Sequence, residues 1–273
     1  HVHFTFDKRF TDAMAGLFLY HGITNVRDTG GLLEDLLPVV DTLRSAGSNA
    51  PNIWYSGPLL DGKDVVYDGV NFPGLGIANP TPEAARVNIA EIHAAGASFL
   101  KIYEMVTPEV FAAIVEEAGA RNLPIDGHVP LSMRARDVAP QVQSLEHLRN
   151  YEMDCVSDPE LWLATRQAEL ANVANEPGNV LRSRLHTLQR LTAITNEDPL
   201  VCSETTEALK ATITVPTLRM NSMDLYVPFD RDDFDQAMDL IPTSVSTEWR
   251  DARDALAASE EPVDTTFAKW SLR

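Results

Sequence analysis

Residues 98–129 read SFLKIYEMVTPEVFAAIVEEAGARNLPIDGHV, an apolar run, a helical pattern and a second apolar run in succession. The runs 98–103 and 124–129 are typical of short buried β-strands. Between them, Thr107-Pro108-Glu109 predicts the start of a helix, because threonine caps free N–H groups, proline suits the first turn and glutamate suits its positive end. Two strands joined through a helix by short loops predict a parallel pair.

The same alternation continues over most of the chain, with a second helix start at Thr81-Pro82-Glu83 and helix C-caps expected at Gly22 and Gly96. Further strands are predicted at 24–28, 52–60, 144–148 and 213–220. The repetition indicates an α/β fold with a parallel sheet, either an open doubly wound sheet or a closed (β/α)8 barrel of the TIM type.

The segment 154–211 interrupts this alternation, because it shows two or three helical stretches and no strand pattern. A helix start is predicted at Asp158-Pro159-Glu160 and a break at Glu176-Pro177-Gly178. An insertion of this size forms either a lid over the loop face or extra helices outside the sheet, and both interpretations stay open. Residues 230–261 are predicted to form an acidic outer helix with a solvated face. Its apolar stripe consists of Trp249, Ala252 and Leu256.

The composition excludes several classes of protein. The 273 residues include 22 Lys and Arg against 40 Asp and Glu, a formal charge of −18, and no local basic patch offsets it. Such a chain repels phosphate backbones and anionic lipids, so we expect it to bind neither nucleic acid nor a membrane. No apolar run of about 18 residues is present, so no membrane span is predicted.

The chain carries no recognisable targeting segment, so a soluble protein is expected, and the sequence does not choose between the cytoplasm and export. Cys155 and Cys202 are too few for a disulfide framework or a cysteine-rich zinc site. Whether these two cysteines pair is left open.

Four of the seven histidines fall at or near predicted strand ends. His1 and His3 are two residues apart, so on a strand they would point to the same side and could bind one metal ion. His128 follows Gly127, which leaves room around a ligand, and His147 lies at another strand end. Imidazole is a common zinc ligand, and barrel enzymes place functional residues at strand carboxyl ends. A single buried histidine is more often a residue of the core than a metal ligand, but four at successive strand ends together indicate a metal site.

The other three histidines are interpreted as structural or surface residues. His21 and His93 lie near helix C-termini, where a cation suits the helix dipole, and His186 lies within the insertion beside Arg184. Lys101 differs from them, because it stands in an apolar strand as either an ion-pair partner or an amine whose pKa is lowered by burial.

Together these motifs resemble the metal-dependent amidohydrolase superfamily, and in particular its imidazolonepropionase-like and prolidase-like branch. The resemblance extends from residue 1 to about residue 220. The motifs that carry it, in the family's order and spacing, are HVHF (1–4), GITNVRDTGG (22–31), FLKIYE (99–104), DGHVP (126–130) and SLEHL (144–148).

The resemblance implies a (β/α)8 barrel that holds two divalent metal ions, with zinc as the metal expected. It implies that His1 and His3 bind the first ion and that His128 and His147 bind the second. Lys101, converted by CO2 to a carbamate, would bridge the two ions.

Tyr103 matches a position that contacts the substrate's carboxylate in prolidase-like members. The alternative for Tyr103 is an aromatic side chain that closes the top of the barrel.

One residue that the resemblance implies is missing from this sequence. The family places an essential Asp at the end of the eighth strand, as a metal ligand and general base, but nothing after Met220 shows that pattern, and Asp224 follows the seventh strand too soon. We therefore expect residues 1–273 to be a partial, inactive barrel domain. It would lack most of strand one, strand eight and the flanking β-sandwich segments, and 154–211 would be an insertion between strands six and seven.

The function indicated is metal-dependent hydrolysis of a carbon–nitrogen bond, of amide or dipeptide type, by a metal-activated water. The expected substrate is a small molecule that carries an amide bond and a carboxylate, and association of identical subunits is left open. A lactone or phosphotriester hydrolase with the same metal centre is the enzymatic alternative. A barrel fragment without catalytic activity is the alternative of a different class.

Overall fold

The computed structural model describes residues 1–171, 176–223, 225, 232–259 and 263–272. The chain divides into two compact units, His1–Val215 and Pro216–Arg273. Among the described residues, no helix combines the length and the apolar character that crossing a membrane requires.

The strands of the first unit all pair in parallel. β1 pairs with β2, and the other strands form one sheet in the order β4-β3-β5-β6-β7-β8. The predicted parallel α/β fold is therefore confirmed, whereas closure into a (β/α)8 barrel stays a prediction. The strands are β1 (Asn25–Asp28), β2 (Asn52–Tyr55), β3 (Leu59–Asp61), β4 (Gly76–Ala78), β5 (Leu100–Ile102), β6 (Ile125–Gly127), β7 (Ser144–Glu146) and β8 (Ile213–Val215).

Two of the strand predictions need correction. The run 52–60 is divided into β2 and β3, because Gly57 takes a left-handed conformation with φ of 73° that interrupts an extended strand. The run 213–220 is a strand only as far as Val215, since Pro216 lacks the N–H that a continued ladder needs. β4 was not predicted, because Gly76 and Ile77 are only partly buried, Ala78 is exposed, and the three residues do not lie in an apolar run.

Helices of the first unit follow the strands. Both predicted threonine caps are confirmed: the Thr81 and Thr107 hydroxyl oxygens accept hydrogen bonds from the N–H groups of Ala84 (3.2 Å) and Val110 (3.4 Å). The helices are α1 (Thr11–Tyr20), α2 (Leu33–Ala46), α3 (Pro82–Ala94), α4 (Pro108–Arg121), α5 (Ala135–Val138), α6 (Pro159–Ala171), α7 (Gly178–Leu185), α8 (Leu191–Thr195) and α9 (Pro199–Leu209). A π-helical turn, His186–Arg190, joins α7 to α8.

The core lies between these helices and the sheet. Leu100 and Ile102 of β5 are fully buried in the same hydrophobic cluster as Phe111 and Ile114 of α4. Burial of each such side chain stabilises the fold by about 1.5–3 kcal/mol. Because side chains alternate along a strand, this packing directs Lys101, the residue between Leu100 and Ile102, to the opposite face of the sheet.

The segment 154–211 contains α6 to α9 and is closed by a disulfide bond. Cys155 and Cys202, whose pairing the sequence left open, are bonded with their Cα atoms 4.1 Å apart. The N–H of Asp198 also donates to the Cys155 carbonyl oxygen (2.7 Å), so the start of α9 is fixed at the same point. Whether this segment acts as a lid stays a prediction.

Reduction of this disulfide is expected to lower the free energy of unfolding by about 3–4 kcal/mol, because the bond closes a long loop in the unfolded chain. The sequence separation of the two cysteines is 47 residues. Urea unfolding followed by circular dichroism, with and without dithiothreitol, measures the difference. The variant with Cys155→Ala and Cys202→Ala is the control and should not respond to the reductant. Equal midpoints for the reduced and oxidised protein would contradict this expectation.

The second unit is helical where it is described. Its helices are α10 (Leu218–Asn221), α11 (Phe234–Met238), α12 (Thr243–Ala258) and α13 (Thr266–Ser271). The single helix predicted at 230–261 is wrong, because Pro242 disfavours helical backbone at the residue before it and separates α11 from α12. Residues 230, 231, 260 and 261 lie outside the described residues. The predicted stripe of α12 is exposed: Trp249 retains 39% and Leu256 38% of its accessible surface.

Candidate metal centre

The side chains singled out in the sequence lie at one edge of the sheet. Lys101 is the central residue of β5, His128 directly follows β6, and His147 directly follows β7. His1 and His3 flank Val2, which bridges in parallel to the last residue of β1. In parallel α/β folds the carboxyl ends of the strands share one edge, where functional residues gather.

Four imidazole rings form a continuous row at this edge. The ring centroids of His3 and His1 are 5.0 Å apart, those of His1 and His147 are 4.6 Å apart, and those of His147 and His128 are 5.0 Å apart. The structure thus brings together all four histidines that were expected to bind metal.

The first two histidines direct their Nε2 atoms at each other. The Nδ1 of His3 donates to the Gly30 carbonyl oxygen (3.0 Å), and the Nδ1 of His1 donates to the Glu146 carboxylate (2.6 Å). In neutral rings these protons leave the lone pairs on Nε2, and the two Nε2 atoms are 3.1 Å apart. Burial lowers the pKa of His3 to about 4, so that ring is neutral at pH 7. Two lone pairs facing each other favour a shared cation.

Glu146 is held in place by groups other than His1. The Arg27 guanidinium and the Ser144 hydroxyl each donate to its Oε1 at 3.0 Å, which leaves Oε2 for His1. A carboxylate that accepts the second ring proton of a histidine fixes its tautomer and its orientation, as in many metal sites.

A second carboxylate orients His128. The fully buried Glu104 accepts a hydrogen bond from His128 Nδ1 at 2.7 Å, so the His128 lone pair is on Nε2. That Nε2 atom is buried and has no hydrogen-bond partner. Burial lowers the pKa of His128 to about 3, and the ring is therefore neutral.

Gly127 does not leave room around a ligand, contrary to the expectation from the sequence. A Cβ atom at this position would lie 2.2 Å from Cγ1 of Ile102 on β5. The missing side chain allows β6 to pack closely against β5, and it thereby sets the position of His128.

Two side chains of the segment 154–211, Arg182 and His186, also contact Glu104. Neither these two residues nor Glu104 was assigned to the site from the sequence. Arg182 of α7 donates to Oε1 of Glu104 (2.9 Å), and His186 contacts Oε2 (2.8 Å). These partners hold the pKa of Glu104 well below its usual range despite burial. Of the two interpretations of His186, structural or surface, the structure fits the structural one, because its side chain keeps only 13% of its exposure and contacts the Glu104 carboxylate. Of these three residues, only Glu104 could have been noticed in the sequence, because it directly follows the strand residues Lys101-Ile102-Tyr103.

The remaining two histidines agree with their interpretation. His21 follows α1 and His93 lies in the last turn of α3, and both are exposed.

Lys101 is buried to 1% exposure, and its Nζ atom has no hydrogen-bond partner. Burial lowers the pKa of Lys101 to about 8, although Glu146 and Asp126 raise it. A fraction of this amine is therefore uncharged near neutral pH. The structure contradicts a simple ion pair for Lys101, because no carboxylate forms a salt bridge with it among the described residues.

Tyr103 lies next to the histidine row. Its ring centroid is 4.6 Å from that of His128, and the Arg182 guanidinium lies over the Tyr103 ring, 5.7 Å from its centroid. Burial raises the pKa of Tyr103 well above its ordinary value, so the phenol stays protonated and can donate a hydrogen bond. The expected contact of Tyr103 with a substrate carboxylate stays a prediction.

The residues present fit a bound cation. Two nitrogens that bind one zinc ion at about 2.0–2.1 Å in a tetrahedral site lie about 3.3 Å apart, close to the 3.1 Å between the Nε2 atoms of His1 and His3. Buried His128 Nε2 and Lys101 Nζ add nitrogens without partners. Within the described ranges, no group of three or more His, Cys, Asp or Glu side chains is arranged so that it could hold a metal ion. The fit therefore rests on the histidine pair and on Lys101.

A cavity of about 530 Å³ reaches His1 from the other edge of the sheet. Its lining includes Asn25, Pro124 and Gln143, which lie at or just before the amino ends of β1, β6 and β7. Functional residues of barrel folds lie at the carboxyl ends of the strands, so we do not assign the substrate to this cavity.

Solved structures with a similar fold include an amidohydrolase. The bottromycin amidohydrolase has a TM-score of 0.58 and 20% sequence identity, with 94% of this chain and 49% of that chain covered. A Xaa-Pro dipeptidase with bound methionine (TM-score 0.49, 14% identity, 76% and 57% covered) and the A. niger ochratoxinase (0.47, 18%, 83% and 65%) are less similar. The expected resemblance to amidohydrolases is thus confirmed at the level of the fold.

This chain spans about half the length of the bottromycin amidohydrolase. No family model and no curated protein matches its sequence.

Proposed function

We propose that this chain, which has the fold of an amidohydrolase, belongs to a metal-dependent hydrolase that cleaves a carbon–nitrogen bond of amide or dipeptide type. The observation that carries the proposal is the cluster of side-chain nitrogens at the carboxyl ends of the strands, two of which, His128 Nε2 and Lys101 Nζ, are buried without a hydrogen-bond partner. His1 and His3 direct Nε2 lone pairs at each other, and the Nε2 of His128 and the Nζ of Lys101 are orphaned nearby. Such an arrangement is costly in a folded protein unless a cation occupies it.

Four side chains would bind the ions directly. His1 and His3 would hold the first through Nε2, while His128 and His147 would hold the second. Bound divalent ions, with zinc as the metal we propose, polarise a scissile carbonyl and lower the pKa of a water molecule toward 7. Glu146 and Glu104 keep His1 and His128 in the tautomer that this role needs.

Lys101 would supply the bridging charge. Its uncharged Nζ would attack the carbon of CO2: the N–C bond forms as one C=O π bond opens onto oxygen, one proton leaves the nitrogen for solvent, and the product is a carbamate with one negative charge. An ammonium at this position would repel both ions, whereas a carbamate attracts them. Burial favours the step, because it increases the uncharged fraction of Lys101.

The substrate we propose is a small molecule with an amide bond and a carboxylate. Tyr103, protonated and 4.6 Å from the His128 ring between centroids, would donate a hydrogen bond to that carboxylate. In this proposal the sheet belongs to a (β/α)8 barrel, and 154–211 is an insertion whose α7 reaches the site through Arg182.

We assign no general base within this chain. Asp28 and Asp61, whose pKa values burial raises to about 7, both accept main-chain N–H groups, which is a structural task. Asp224 lies outside the described residues.

Metal removal tests the proposal. We expect the full-length protein to which this chain belongs to bind about two equivalents of zinc after dialysis, and its hydrolysis of dipeptides or N-acyl amino acids to disappear with a chelator and return with zinc. Atomic emission measures the metal, and chromatography of the released amino acid measures hydrolysis. The variant His93→Ala, changed on the exposed side of α3, is the control for incidental histidine binding. A protein that binds no zinc above this control's background would contradict the proposed function.

A further inference from the structure

The loop 62–75 follows the carboxyl end of β3 and so starts at the same edge of the sheet as the histidine row. It is fixed there by the fully buried Asp61. The Asp61 carboxylate accepts the main-chain N–H groups of Val66 (2.9 Å) and of Met105 (2.8 Å), which follows β5. Val66 is itself fully buried in one hydrophobic cluster with Tyr103. The loop is therefore packed against the segment that leads out of β5 beside the candidate site.

The tip of this loop is held by hydrogen bonds of its own. The Asp68 carboxylate accepts the N–H groups of Val70 and Asn71, both at 2.9 Å, and the Asn71 side-chain amide donates to it as well (3.0 Å). At the base of the tip, the Tyr67 carbonyl oxygen accepts the N–H of Gly76, the first residue of β4 (3.0 Å). Side chains on such a loop are held in defined positions, which lowers the entropic cost of binding a ligand.

Three aromatic side chains connect this loop to both ends of the histidine row. The Tyr103 ring centroid lies 4.6 Å from that of His128, and the Tyr67 centroid lies 5.6 Å from that of Tyr103. Tyr67 also contacts Phe6, with 6.2 Å between the centroids, and the N–H of Phe6 donates to the His3 carbonyl oxygen (3.3 Å). Because His128 and His3 are the two ends of the row, a substrate bound at the row would lie beside these aromatic rings.

The outer part of this aromatic surface is exposed. Phe6 retains 47%, Phe72 41% and Val70 86% of its accessible surface, and the Phe72 ring centroid is 5.4 Å from that of Tyr67. Apolar side chains that cluster in an exposed position are a feature of binding surfaces. Since this cluster is continuous, ring by ring, with the aromatic contact on His128, the occupant it indicates is a part of the substrate.

We propose that Phe6, Tyr67 and Phe72 form an aromatic subsite that binds a large apolar group of the substrate next to its amide bond. The inference rests on the proposed function for the reaction, but binding at the aromatic subsite needs no metal. A phenyl group withdraws apolar area from water and also makes edge-to-face contacts with the rings, which a methyl group cannot make. The site would therefore prefer amides with a large apolar side chain or acyl group to amides with small ones.

Three matched probes test the inference by calorimetry on the metal-free full-length protein. N-acetylalanine is the parent compound. N-acetylphenylalanine adds a phenyl group on the amine side of the amide bond, and N-phenylacetylalanine adds it on the acyl side. We expect at least one of the two phenyl compounds to bind about tenfold more tightly than N-acetylalanine.

Substitutions locate this preference. Phe72→Ala and Tyr67→Leu should each reduce it by about threefold or more, because each removes an aromatic contact. Tyr20→Ala is the matched control. It removes a ring that is 84% exposed at the end of α1, before the amino end of β1, and it should leave the preference unchanged. Phe72 is exposed, so Phe72→Ala decides the question if Tyr67→Leu fails to fold.

Equal affinities of the three probes would overturn the inference, as would a phenyl preference that Phe72→Ala and Tyr67→Leu both leave intact. If the zinc-loaded protein hydrolysed all three probes with the same kcat/KM, the inference would fail while the proposed function would stand. A phenyl preference that depends on Phe72, in a protein that takes up no zinc, would support the inference and contradict the proposed function.

Discussion

In the full-length protein, replacement of Lys101 by arginine is expected to abolish binding of the zinc ions that the Lys101 carbamate would bridge and to reduce hydrolysis by at least about a hundredfold, even though the charge of the free side chain is retained. A guanidinium stays protonated and cannot form a carbamate, so it would present a fixed positive charge to two cations. Metal content by atomic emission and kcat/KM for the best substrate of the dipeptide screen measure the two effects. Because Lys101 is fully buried, circular dichroism must show that the variant folds.

Two further variants separate this explanation from a packing defect. Lys101→Ala should also lose metal, but added acetate or propionate should restore part of the activity by supplying a carboxylate in the vacated space. Lys8→Arg changes an exposed lysine that pairs with Asp35, and it should behave as the parent protein does. Full activity of Lys101→Arg would show that Lys101 serves only as a positive charge.

Replacement of either His128 or His147 by alanine in the full-length protein is expected to remove about one equivalent of zinc and nearly all activity. Each would take one imidazole nitrogen from the second ion, and the loss of a direct ligand should cost at least the roughly 10–100-fold seen for outer-sphere partners. Titration of the metal-free variants with zinc, followed by calorimetry, gives the number of sites and their affinities. The variant His93→Ala again serves as the control on an exposed helix.

His128→Ala has a second expected consequence, which concerns Glu104, the hydrogen-bond partner of His128. Glu104 would lose one donor but keep Arg182 and His186, so the protein should stay folded while the metal is lost. If both histidine variants retained two equivalents of zinc, the assignment of the second site would be wrong.

Local sequence was sufficient for the elements that surround the site. The Thr-Pro-Glu starts of α3 and α4 were predicted correctly, because a cap depends on residues within one turn. The positions of Lys101, His128 and His147 relative to β5, β6 and β7 were predictable for a similar reason, since apolar runs of buried parallel strands are continuous. Prediction failed at 213–220, where the strand ends before Pro216 although the apolar pattern continues. It also failed at 230–261, where Pro242 separates two helices although the acidic pattern continues.

The chain's own sequence determined which chemical groups gather at one edge of the sheet: the four histidines and one lysine follow from strand order and from the parallel direction of the strands. Only the tertiary structure decided what those groups can do. The tautomers of His1 and His128 are set by Glu146 and Glu104, and the latter is held by Arg182 and His186, which lie 78 and 82 residues away along the chain. The physical reason is that protonation and orientation depend on burial and on partners brought together by folding, which no local pattern encodes.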